Sequence, residues 1–170
     1  MANMANIVNI EKNPDAVKIL LCGCGGKMGA AVREFVADRS DCRIVAGVDL
    51  VPVELDFPVY GAIDQVEQQA DVVVDFSHPS ALCAILDYCR ARGTAAVLCT
   101  TGYTQEEVGQ LTAAAKELPV FYSRNMSLGV GLLIELAKTA AAVLGDGFDV
   151  EIVEAHHNQK LDAPSGTALM

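Results

Sequence analysis

The stretch Val17-Lys18-Ile19-Leu20-Leu21-Cys22-Gly23-Cys24-Gly25-Gly26-Lys27-Met28-Gly29 holds the main clue to the fold. Its first six residues are apolar apart from one lysine, as expected of a short, buried parallel strand. They open straight into a glycine-rich turn, and a helix-like run follows from Met28 to about Asp38. Strand, glycine turn and helix together predict an α/β chain with a Rossmann-like doubly wound parallel sheet. In such a fold the glycines let the backbone turn tightly, approach a pyrophosphate and pack helix against sheet. The spacing here is Gly-x-x-Gly-x-x-Gly at 23, 26 and 29, because position 28 is methionine. A P-loop is excluded, since Gly26-Lys27 is followed by Met28 and position 21 is leucine. Taken alone, the loop also fits a tight strand-to-helix turn with no ligand.

Further along, residues 43–48 read as a second strand with Asp49 at its end, 20 residues after Gly29. A carboxylate there can accept hydrogen bonds from adenosine ribose hydroxyls, and it repels the extra phosphate of NADP. Leu50 stands where an arginine would hold that phosphate. The pair therefore favours NADH, with NADPH open, while a strand-end aspartate capping the next turn is the competing reading. Residues 51–60, with two prolines, read as an irregular connection and residues 63–69 as a short helix. Further strands are expected at 72–75, 95–99 and 120–122, with helices from His78-Pro79 to about Arg92, over 105–117, and from Ser127 to about Leu144. Small polar turns follow several of these strands, as at the ligand edge of a doubly wound sheet. After the break Gly145-Asp146-Gly147 a new strand is expected over 149–153.

Composition narrows the function. A 52% apolar content in 170 residues is enough for a domain with a buried core. Net charge −10 argues against a nucleic-acid partner, which needs a basic stripe. No uninterrupted apolar run reaches the roughly 18 residues of a membrane span, so no membrane partner is expected. Residues 1–16 read as an extension without a secretion signal. Six cysteines in mostly apolar settings suit a reducing cytoplasm, and Cys22-Gly23-Cys24 is too tight for the usual zinc pair, so no metal site is expected.

A second block, Glu154-Ala155-His156-His157-Asn158-Gln159-Lys160-Leu161-Asp162-Ala163-Pro164-Ser165-Gly166-Thr167, has the make-up of a site for a small anion. Pro164 forces a turn, after which Ser165 can cap a helix whose first N–H groups favour a carboxylate. His156 can exchange a proton near neutrality, and Lys160 can hold a carboxylate or protonate an intermediate. A surface loop with a capped helix is the plainer reading.

At these residues the chain resembles the dihydrodipicolinate reductase family. The likeness extends to the loop at Gly23, Asp75-Phe76-Ser77, Thr100-Thr101-Gly102 and Asn125-Met126-Ser127-Leu128-Gly129-Val130. It departs at Cys99, Met126 and Gly131, where glycine, phenylalanine and asparagine are usual. The resemblance implies an NADH- or NADPH-dependent reduction of 4-hydroxy-tetrahydrodipicolinate to tetrahydrodipicolinate, in lysine and diaminopimelate biosynthesis. It assigns residues 17–148 to a dinucleotide-binding domain and 149–170 to the start of an α+β substrate domain that also forms a homotetramer. By position, His156 becomes the acid/base candidate and Lys160 the proton donor, while His157, Lys160, Gly166 and Thr167 hold carboxylates. Gly23, Cys24, Gly25, Gly26, Lys27, Met28, Asp49, Cys99, Thr100, Thr101, Ser123, Arg124, Asn125 and Met126 line the cofactor. Two other readings stand beside it: a nucleotide-binding module without catalysis, and an aspartate dehydrogenase-like oxidoreductase, which would not need the His-His-x-x-Lys run.

Overall fold

The structure, a computed structural model, describes residues 13–158 and 163–170. Strand β1 (Val17–Cys22) forms where the aliphatic run ends in glycine. Its residues alternate across the sheet, as the two-residue period requires. Leu20 and Cys22 enter one core with residues of the later helices, and Ile19 and Leu21 enter another with Val32 and Val36.

Beside β1 lie β2 (Cys42–Val48), β3 (Val59–Tyr60), β4 (Val72–Asp75), β5 (Ala95–Leu98) and β6 (Val120–Tyr122). All pairings are parallel, and the order is β3-β2-β1-β4-β5-β6. Chain direction across the sheet therefore reverses between β1 and β4, where a doubly wound sheet opens a crevice at its carboxyl edge. The expected α/β Rossmann-like sheet is the fold observed. Helix α1 (Lys27–Ala37) follows the glycine turn, and α2 (Leu82–Arg92) ends at Gly93 in the left-handed region, φ 65°. Helix α3 (Gln105–Ala114) starts with a full capping box between Thr104 and Glu107.

Four expectations need correction. The connection expected to be irregular over 51–60 ends in β3, whose two residues pair with Gly47 and Val48. The helix expected over 63–69 is a single 3-10 turn, Ile63–Gln65, because Val66 is already extended at ψ 118°. The strand expected over 149–153 is absent: its alternating apolar residues meet no neighbouring strand among the described residues, and a strand needs a ladder partner. Finally, α4 (Leu128–Leu144) and the 3-10 turn after it, Gly145–Gly147, are together long and apolar enough to cross a membrane by length and composition. Glu135 and Lys138, paired at 3.0 Å one turn apart, interrupt the run and hid this from a search for unbroken apolar sequence. No residue of α4 is buried.

The short α5 (Gly166–Leu169) begins where Pro164 and Ser165 predict it. Ser165 is its N-cap, accepting the Ala168 N–H on Oγ at 3.1 Å. Ser165 is 2% exposed, whereas Leu169 and Met170 after it are exposed.

Candidate functional site

The glycine turn is tightly specified. Gly23 has φ 75°, and a Cβ there would lie 2.6 Å from the Phe76 carbonyl oxygen. A Cβ on Gly29 would meet the backbone of Gly23 and Cys24, so α1 starts in direct contact with the turn. The N-cap, Gly26, offers no side-chain hydrogen bond, and the first turn of α1 has no acidic residue. Helix α3 differs, for its first turn holds Glu106 and Glu107 and its cap is self-satisfied. The first N–H groups of a helix lack intrahelical partners, so the α1 end suits an external anion such as a pyrophosphate.

Asp49 joins this turn to the end of β2. Its Oδ2 accepts the Gly25 N–H at 2.8 Å and its Oδ1 the Val51 N–H at 3.0 Å. The turn-capping role is thus real, and each oxygen keeps a lone pair for a further donor. Cys24 is a buried thiol, as its apolar setting predicts. Its side chain is 0% exposed and packs under the sheet, with Sγ in the space a Gly47 Cβ would occupy. Burial first, then Asp49, pushes its thiol pKa up, so only its backbone can face a ligand.

An open cleft of about 510 Å³ lies at the carboxyl edge of the strands, lined by Met28, Phe76, Ser77, Cys99, Thr100, Thr101 and residues 123–126. Eight of its ten lining positions are expected cofactor residues, and Phe76 and Ser77 are the strand-end pair of the resemblance. Gly23, Gly25, Gly26, Lys27 and Asp49 belong to the adjoining turn instead of the cleft wall. Cys99 Sγ lies 3.9 Å from Met126 Sδ, a contact between two lining residues. Burial, followed by the charge of Asp75, raises the Cys99 thiol to about 11.

Sequence reasoning passed over Asp75 itself. It is 0% exposed and accepts the Ser77 N–H at 3.0 Å and the Ser77 hydroxyl on Oδ1, and the Thr100 hydroxyl at 2.7 Å on Oδ2. The Tyr103 hydroxyl adds a longer contact to Oδ2, at 3.4 Å. An acidic residue closing an otherwise all-valine strand was the available signal.

The second block reaches the cleft through its end. The Asn125 side-chain amide donates to Thr167 Oγ1 at 2.8 Å, and a Cβ on Gly166 would come 3.0 Å from Arg124 Cβ. Glu154 Oε1 accepts the Ser165 N–H at 2.8 Å, and His156 Nδ1 is 3.7 Å from Glu154 Oε2. Glu154 thus holds the turn that docks on the cleft wall, with His156 beside it but beyond hydrogen-bond distance. His156 and His157 are exposed, and Lys160 lies outside the described residues, so its expected place is not among these contacts.

Residues 17–126 match the family described as dihydrodipicolinate reductase, N-terminus, and residues 129–170 match dihydrodipicolinate reductase, C-terminus. The chain belongs to the dihydrodipicolinate reductase family. Among its relatives is the 4-hydroxy-tetrahydrodipicolinate reductase of Caldanaerobacter subterraneus subsp. tengcongensis, 47% identical over 91% of this chain and 61% of that protein. The one from Clostridium tetani is 46% identical over the same shares. A solved dipicolinate-bound dihydrodipicolinate reductase from Paenisporosarcina sp. TG-14 superposes with a TM-score of 0.71 at 31% identity, covering 91% of this chain and 63% of that one. The chain thus spans 61% of the length of the curated relatives it matches. Within this family match, the join falls between residues 126 and 129, which puts α4 in the C-terminal part.

Proposed function

We propose that the protein of which this chain is part reduces 4-hydroxy-tetrahydrodipicolinate to tetrahydrodipicolinate in the cytoplasm, for lysine and diaminopimelate biosynthesis. The observation that carries this reading is the docking of the Ser165–Thr167 turn on Arg124 and Asn125. It brings the anion-suited end of the chain against the wall of the cleft at the sheet switch point. The residues present fit a nicotinamide dinucleotide, since the glycine turn leaves no room for Cβ atoms at 23 and 29 and presents an uncapped helix start. When bound, the reduced nicotinamide supplies a hydride.

The protein's own groups do the rest. The Gly23–Gly29 turn and the start of α1 would hold the pyrophosphate, and Asp49 would accept from the ribose and favour NADH over NADPH. Ser77, Thr100, Thr101 and residues 123–126 would orient the nicotinamide end. Gly166 and Thr167, with His157 and Lys160, would hold the carboxylates of the substrate. His156, whose Nδ1 lies 3.7 Å from Glu154, would move a proton at its ring. Water would leave as the ring hydroxyl together with a hydrogen of the adjacent carbon, which forms a double bond, and Lys160 would deliver the proton that, with the hydride, saturates that bond. The exposed apolar faces of α4 and of residues 148–153 support a further domain covering them, and a homotetramer built through it.

The test uses the full-length protein. Replacing His156 and Lys160 together by alanine should lower kcat at least a hundredfold and leave the NADH dissociation constant within about threefold. Normal turnover in the double variant would remove the assignment. NADH binding without turnover in the unaltered full-length protein would favour a nucleotide-binding module.

A further inference from the structure

Asp75 stands at the carboxyl end of β4, with β1 on one side and β5 on the other. It is therefore at the sheet switch point, directly behind the cleft. Its side chain is 0% exposed, yet no Lys, Arg or His among the described residues forms an ion pair with it. Every group it contacts through its side chain is a donor: the Ser77 N–H and the hydroxyls of Ser77, Thr100 and Tyr103. Four donor groups thus converge on its two oxygens, the surroundings a carboxylate needs where no cation is near. Two of the donor residues, Ser77 and Thr100, themselves line the cleft.

A buried charge without a counter-ion is costly, and a fold that only needed to hold two loops together could do so with a neutral amide. The Asp75 charge lies one residue behind the cleft wall, because Ser77 and Thr100, which bond it, both line that wall. Oxidised nicotinamide is a cationic ring and reduced nicotinamide a neutral one. A fixed anion behind the ring therefore acts on one form and not on the other.

We propose that the Asp75 carboxylate sets the relative affinity of this site for the two oxidation states of the nicotinamide. It stabilises the cationic form and so makes the bound reduced form a stronger hydride donor. The inference rests on the reading of the cleft as a nicotinamide site. It assigns to Asp75 an electrostatic role besides its bracing of Ser77 and Thr100.

The dissociation constants of NAD+ and NADH, measured by calorimetry on the full-length protein and on its Asp75→Asn variant at one pH and salt concentration, test it. The expected result is an NAD+ affinity reduced about tenfold, an NADH affinity changed less than about threefold, and an unchanged ratio in Tyr103→Phe, which removes a donor and keeps the charge. Asp75→Glu, which keeps the charge, should keep the ratio near that of the parent. Equal weakening of both nucleotides in Asp75→Asn would make Asp75 a brace alone and overturn the proposal, as would no change in either. If Asp75→Asn does not fold by circular dichroism, Asp75→Ser, which leaves space for a water to serve the same donors, takes its place. Loss of folding in both neutral variants would assign the carboxylate to stability and sink the proposal. Failure of the parent to bind either nucleotide would instead sink the nicotinamide reading on which it rests.

Discussion

Strand β1 and helix α4 are both strongly apolar, and they treat their side chains in opposite ways. Leu20 and Leu21 are 0% exposed, whereas on α4 Leu133 is 63% and Leu136 58% exposed. The same residue type therefore does two jobs in one chain. In the sheet it is removed from water by neighbours that the chain itself supplies. On α4 it forms a face that nothing among the described residues covers. The site follows the same division. The nucleotide side of the cleft sits on rigid strand ends, and the His156 arm lies beside Glu154, which holds the docked Ser165 turn.

Paired truncations offer the largest test of that contrast. Leu20→Ala should lower the unfolding free energy by about 3 kcal/mol, the usual cost of emptying a fully buried leucine site. Leu133→Ala, at an exposed site, should change it by less than about 0.5 kcal/mol. Urea denaturation of both variants would decide, and a large loss in Leu133→Ala would show that α4 is covered in solution.

Alkaline pH gives a test of comparable size. Burial, despite opposition from Arg90, holds the Cys89 thiol up at about 11, against 9.0 for an ordinary thiol. The folded state thus keeps a proton that the unfolded chain gives up. This contribution is fully present below pH 9 and is lost as the pH rises to about 11. The loss should reach roughly 2 to 3 kcal/mol, and the fall in stability with pH should be smaller by that amount in a Cys89→Ala variant, where the raised Cys99 thiol still contributes. Denaturant midpoints at pH 8.5, 10 and 11 measure it, and a flat profile in the parent would contradict the burial of Cys89.

The smallest effect separates two helix starts. Thr104→Ala removes the capping box of α3 and should cost about 1 kcal/mol, with no change in NADH affinity. A loss of nucleotide binding would mean that α3, and not only the uncapped α1, serves the ligand.

Much of this was readable beforehand because short-range rules govern it. The glycines at 23 and 29 are demanded by backbone contacts within the turn itself, and Pro164-Ser165 sets its helix start locally. Phe76, Ser77, Cys99 and residues 123–126 could be placed together because strand ends in a doubly wound sheet share one edge. The two-residue β3 was not readable, since its only warrant is the pairing with β2.

By itself, then, the sequence determined the parallel sheet, the glycine turn, the cleft-lining residues and the family, all of which depend on local periodicity or on motifs at fixed spacing. Only the tertiary structure decided two further points. It left residues 149–153 without strand structure and gathered three residues around the buried Asp75. Each depends on which distant groups meet. Thr100 and Tyr103 reach Asp75 from 25 and 28 residues away, and such a meeting depends on packing, which no local pattern encodes.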